Sequence, residues 1–411
     1  MIARLLLALT LTFTLHAAAA PGLSGKVLAG YQGWFRTPSD GTSSGWQHYS
    51  PSTTFTPDHC HIDLWPDVRE LPPAARVATP FRHPDGTPAE VFSSTTPAVI
   101  QLHFQWMRDY GIDGIFLQRF ASTTHSEHLR NPQDAILNEI RSASAATGRS
   151  WTLMYDLSGL TKDAAATVIS DWKHLDQQFH LTNSSKNPAL LRHLDKPLVA
   201  LWGCGFNDRP PMLDQWRQLI DFFKNHARCS VMLGVPAYWR TLDRDTIADP
   251  EFLTIAASAD VISPWNVGRF NSPDAAARHA STTTKADIAW CRARNISFLP
   301  VAFPGFSWHN LSASRNRSQP LNAIPRLAGR FLWEQFRSYR NAGADAVYVA
   351  MFDELDEGTA IMKIRQDPPA TPAQFVAEPD VPSDHYLWLT GKAAHLFQNP
   401  PAPSPMPSRS P

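Results

Sequence analysis

Four acidic side chains crowd five positions of one stretch, AVYVAMFDELDEGTA (346–360): Asp353, Glu354, Asp356 and Glu357. Carboxyl groups this close push one another's pKa values apart, so one can hold a proton near neutral pH while another stays ionised. That division of labour is what acid/base cleavage of a glycosidic bond requires. The run AVYVAMF (346–352) has the composition of a strand. Alternation along it sets Tyr348, Ala350, Phe352 and Glu354 on one face and Val347, Val349, Met351 and Asp353 on the other. If the Val and Met set meets an outer layer of helices, Glu354 points inward and Asp353 braces the outside. Glu357 follows one short turn on, where Gly358 lets the backbone bend. The alternative is a solvated charge run, or a calcium or magnesium site made of oxygens.

Those acids matter only if the fold gathers them with other groups, and the chain supplies a repeating frame. Eight apolar runs recur: KVLAGY (26–31), GIFLQRF (114–120), WTLMYD (151–156), PLVALW (197–202), CSVMLGV (229–235), DVISPW (260–265), SFLPVAF (297–303) and AVYVAMF (346–352). Amphipathic helices are expected between them, at 97–110 after Thr96 and then at about 132–147, 161–179, 210–226, 244–258, 273–293 and 323–341. A closing helix is expected at about 383–397. Strands that alternate with helices and lack polar alternation imply a parallel sheet buried on both faces, and eight such units imply an α/β fold of the (β/α)8 TIM barrel type. A doubly wound open sheet would show a glycine-rich phosphate loop after the first strand, where this chain has GYQGWF. The long stretch 35–95 reads as an elaborated first βα loop.

A barrel keeps its active site at the carboxyl ends of its strands. Asp113, Asp260 and Asp345 precede strands and read as structural. Trp34, Tyr155, Trp202, Trp265, Phe303 and Trp308 end or follow strands, so their shared position suggests an aromatic-lined cleft. Tyr31 and Gln32 end the first strand and Gln118 and Arg119 the second; one of the latter pair should reach the cavity. Asp156, after the third strand, is placed to bond a sugar hydroxyl or to cap the next helix, although Thr161 suits the cap better.

Composition sets the outer limits. The 411 residues are 43% hydrophobic with 37 basic and 37 acidic side chains, so no overall positive field favours nucleic acid. The segment 1–20 has one early arginine, a short apolar run and a small-residue end, the pattern of a signal peptide. It implies a secreted or periplasmic protein with no membrane attachment after cleavage. Residues 21–398 form the barrel and 399–411 a disordered Pro/Ser tail. The four cysteines could form up to two disulfides. His59, Cys60 and His61 are a weak metal pattern, and no cofactor is expected. The expected partner of this monomer is a carbohydrate.

The run FDELDEGT (352–359) resembles the WNEWHEGT-type motif on the last strand of glycoside hydrolase family 99 and, more loosely, family 71. GYQGWF (30–35), DLWPDVREL (63–71), FSSTTPAVIQLHFQWMRDYGIDGIFLQRF (92–120) and YLWLTGKAA (386–394) resemble a bacterial family 99-like group that is often labelled xylosidase/arabinosidase. The resemblance implies a retaining, endo-acting glycosidase. By it, Glu354 corresponds to a base acting on the sugar 2-hydroxyl, which displaces the leaving group to form a 1,2-anhydro sugar. Glu357 corresponds to the group that protonates the leaving group and later activates water. Phe352, Asp353, Leu355 and Asp356 depart from the motif, so mannan specificity does not carry over. A noncatalytic sugar-binding barrel and a metal-dependent hydrolase using Asp353, Asp356, His59 and His61 are the rival readings.

Overall fold

All eight apolar runs form parallel strands in the computed structural model, which describes residues 22–160, 163–399 and 405–409. The strands are Val27–Tyr31, Gly114–Phe120, Ser150–Asp156, Lys196–Trp202, Ser230–Pro236 and Val261–Trp265, then a seventh in two pieces, Ser297–Phe298 and Val301–Ala302, and an eighth, Val347–Val349. Strands one to six pair in chain order, and the first also pairs with the eighth, Val27 opposite Val347. The seventh closes the barrel, its first piece bonding the sixth strand and its second the eighth. Pro300 lies between the two pieces, and its lack of an N–H interrupts the ladder.

Helices cover the outside. Helix Pro97–Tyr110 begins at a proline and stops at Gly111, which takes φ 82° and donates to the carbonyls of Met107 and Arg108. The 132–147 helix starts earlier, at Glu127. The segment 244–258 is helical only over Glu251–Ala256. There Asp245 holds the backbone of Ala237 and Tyr238 together with Arg269, and Pro250 disfavours helix at the residue before it. The closing helix is His385–Gln398. Thr161 and the expected signal segment lie outside the described residues.

The long first loop contains a hairpin, Val77–Arg82 with Pro88–Val91, and folds across the carboxyl end of the barrel. Its Asp63 accepts from Ser307 and from the backbone of His309 and Asn310, while Asp63 and Leu64 donate to the carbonyl of Leu355. The loops after strands one, seven and eight therefore form one wall. At the other end, Asp113 accepts from Val27 N–H and Asp260 from Val231 N–H, fixing neighbouring strands. All four cysteines are buried and free, so the two possible disulfides do not form here, and burial pushes Cys229 and Cys291 up to about 12. Of the expected tail, residues 399 and 405–409 are described, and there Arg409 pairs with Asp384 at 2.6 Å. Among the described residues no helix is long and apolar enough to cross a membrane.

Candidate active site

Strand parity sorts the residues at the carboxyl ends. On the first three strands the inward side chains are Leu28, Phe116 and Met154, which share one core, so Gln32, Gln118 and Asp156 follow on the inner face. Tyr31, Arg119 and Tyr155 have the opposite parity and face the helices, contrary to their expected place at the cleft. Tyr31 Oη lies 2.9 Å from His103 Nδ1, and both rings are buried. Arg119 makes a bidentate pair with Asp171 at 2.6 Å and a further bond to Asp134 at 2.7 Å, and Tyr155 donates to Asp171. Arg119→Met should lower unfolding free energy by about 3–5 kcal/mol, since two buried carboxylates lose the guanidinium between them and keep only Tyr155 and His174 as close partners. Urea denaturation measures it, and a loss below about 1 kcal/mol would contradict the assignment.

The same sorting corrects the eighth strand. Extended pairing ends at Ala350; Met351 N–H then bonds the Thr359 carbonyl and Phe352 N–H the Gly30 carbonyl. Met351 therefore turns inward to accept from Tyr348 Oη, while Phe352 packs outward on Tyr31 and His103. Asp353 is fully buried and outside the cleft, accepting from the backbone N–H groups of Gln32 and Gly33 at 2.7 and 2.8 Å. Burial raises it to about 6 against those bonds. Phe303 is also a core residue, enclosed by Phe270 and Phe331.

Glu354, Asp356 and Glu357 come together. Glu354 is only 1% exposed and accepts from Gln32 Nε2 at 2.7 Å, so it lies one side chain beneath the cleft floor. Its carboxyl and that of Asp356 hydrogen-bond each other, which requires a shared proton. Burial, then the charge of Asp356, push Glu354 well above the usual carboxylate range. Burial pushes Asp356 up too, but bonds from Glu354 and His48 outweigh it and hold Asp356 below its ordinary value. Glu354 thus carries the proton and Asp356 the charge. Glu357 is partly exposed; burial and the Asp356 charge, opposed by Arg315, raise it to about 7.

Asp356 and Glu357 open into a cleft of about 790 Å³ that is also lined by Trp34, Trp46, His48, His61, Trp308 and Arg315, among others. Its backbone is pinned. Gly358 takes φ 65°, where an added Cβ would lie 2.8 Å from Ser307, and Arg326 binds the carbonyls of Gly358 and Ala360. Trp34 stacks on His48 at 3.8 Å between centroids, and His48 donates to Asp356 at 3.0 Å. Gln118 lines an adjoining cavity and donates to Asp156, whose burial raises its pKa against that bond. Trp202 and Trp265 meet edge to face at 5.5 Å but line neither cavity.

His48, His61 and Arg315 are cleft residues that strand-end reasoning misses. They sit on loops, and only the aromatic density of 35–95 hinted at a wall there. Burial brings His61 down to about 4, so it is neutral. Among the described residues no group of three or more His, Cys, Asp or Glu is placed to hold a metal ion.

The chain superposes on two solved structures of the family 99 (GH99) endo-α-mannosidase from Bacteroides thetaiotaomicron, one in complex with bis-tris-propane, with TM-scores of 0.63 and 0.64. The fold is the family 99 fold. Each match covers 92% of this chain and 98% of the other at 14% sequence identity. No protein-family model matches the chain, and no curated protein matches it in sequence. The FDELDEGT stretch (352–359) follows the last barrel strand, Val347–Val349, at the carboxyl end of the barrel.

Proposed function

We propose that this chain is an exported glycoside hydrolase that cleaves a poly- or oligosaccharide with retention, using Glu357 as the proton-donating group and Glu354 as the base. The observation that carries the reading is Glu357: a carboxyl held near pKa 7, beside the charge of Asp356, on the floor of an aromatic-walled cleft at the barrel's carboxyl face.

Glu357 protonates the departing oxygen and later takes a proton from water. A sugar 2-hydroxyl reaches Glu354 by replacing the Gln32 amide; Glu354 accepts its proton as its own passes to Asp356. The freed sugar oxygen displaces the leaving group and closes a 1,2-anhydro ring. The activated water opens that ring at C1 as the stored proton returns from Asp356 through Glu354 to the 2-oxygen, so no protein nucleophile is needed.

Incubation with a panel of polysaccharides and aryl glycosides tests this, with proton NMR reading the anomer first released. A retained anomer is expected; inversion removes the mechanism. The covered position of Glu354 favours one rival, a sugar-binding barrel without turnover. Binding with no released sugar from any panel member would establish that rival.

Two further outcomes follow from the site. The acid form of Glu357 is populated below about pH 7, so kcat/KM should fall above that pH. A flat profile between pH 6 and 9 would exclude it as the acid. Exhaustive chelator treatment should leave activity unchanged, and a loss restored by a divalent metal would favour the metal-dependent rival.

A further inference from the structure

A second cavity of about 310 Å³ adjoins the cleft, and Trp34, Gln47 and His48 line both. No carboxylate among the described residues lines it, although Asp356 and Glu357 line its neighbour. Its wall includes instead the basic residue Arg36, with His48 and His128.

Arg36 is 4% exposed. Its Nη1 donates to the carbonyls of Gly33 and Phe35 at 2.8 and 3.3 Å, while Nε and Nη2 donate to nothing among the described residues. Asp40, the acid whose charge reaches Arg36, spends its oxygens on Thr37, Thr42 and Ser93. Burial lowers Arg36 to about 10, against the pull of Asp40. A buried cation without a paired anion is costly, and a structural staple to two carbonyls needs only one nitrogen of the fork.

We propose that this cavity receives an acidic substituent of the bound saccharide, a carboxylate or a sulfate, with the free N–H groups of Arg36 as its counter-ion. The planar fork suits either oxyanion. The inference rests on reading the adjoining cleft as a sugar site and adds the class of sugar.

Titration calorimetry on the full chain at low salt tests it with two matched pairs. These are trigalacturonate against its carboxyl-reduced galactose trimer, and a sulfated galactan trisaccharide against its desulfated form. At least one acidic probe should bind roughly tenfold tighter than its neutral counterpart, the return expected from one charge-assisted bond. Arg36→Gln should erase that preference and Arg36→Lys keep part of it. If Arg36→Gln does not fold, Gln133→Glu places a carboxylate in the same wall with the staple intact, and it should also erase the preference.

Equal affinity for acidic and neutral partners, no binding of any probe, or a preference that survives in folded Arg36→Gln or Gln133→Glu overturns the proposal. Turnover of neutral sugars without an acidic preference sinks this inference and spares the hydrolase reading. Arg36-dependent acidic binding with no turnover does the reverse.

Discussion

Glu357→Gln abolishes sugar release, lowering kcat by about 10²–10⁴-fold while saccharide affinity changes little. The amide keeps the size and polar contacts of the side chain but has no proton to donate at neutral pH. Glu357 lies in a loop pinned through Ser307 and Arg326, so the exchange should not move the backbone. Single-turnover rates and calorimetry on the same preparation separate the two effects. A variant that keeps more than a tenth of the wild-type kcat would remove Glu357 from the chemistry.

Glu354→Gln is expected to cost a comparable factor, about 10²-fold or more, for a different reason. Its amide can still meet Gln32 and Asp356, but it neither accepts a proton nor passes one on. Asp356→Asn supplies the contrast. The charge of Asp356 raises Glu357, so its removal lowers that pKa, and the fall of kcat/KM with rising pH should begin at a lower pH than in the parent. A purely structural Asp356 would lower activity without moving the limb. Unchanged kcat in Glu354→Gln would leave Glu357 acting without a carboxylate base at 354.

Much of this arrangement is legible in the chain itself. The eight apolar runs fall where the strands are, Pro97 and Gly111 bracket a helix, and FDELDEGT places a cluster of acids beside a bend at Gly358. Each is a local signal. Tyr31 with Gln32, one of Gln118 and Arg119, and Tyr155 with Asp156 were expected at the cleft because all end strands, yet only Gln32, Gln118 and Asp156 take the inner face. Size does not decide a face; parity with Leu28, Phe116 and Met154 does.

The period of the elements, the order of strands and helices, and the clustering of four carboxyl groups at 353–357 are all written locally, because they depend on neighbours a few positions apart. Which side of each strand looks inward, and how deep each acid lies, depends on the closed and packed barrel. Closing a barrel chooses between two parities that are locally equivalent, and while burial favours the proton on Glu354, bonds from Glu354 and His48 hold the charge on Asp356 against it. The packed barrel also brought His48 to Asp356 across 308 residues and left Arg36 unpaired at a cavity wall, contacts that no spacing encodes.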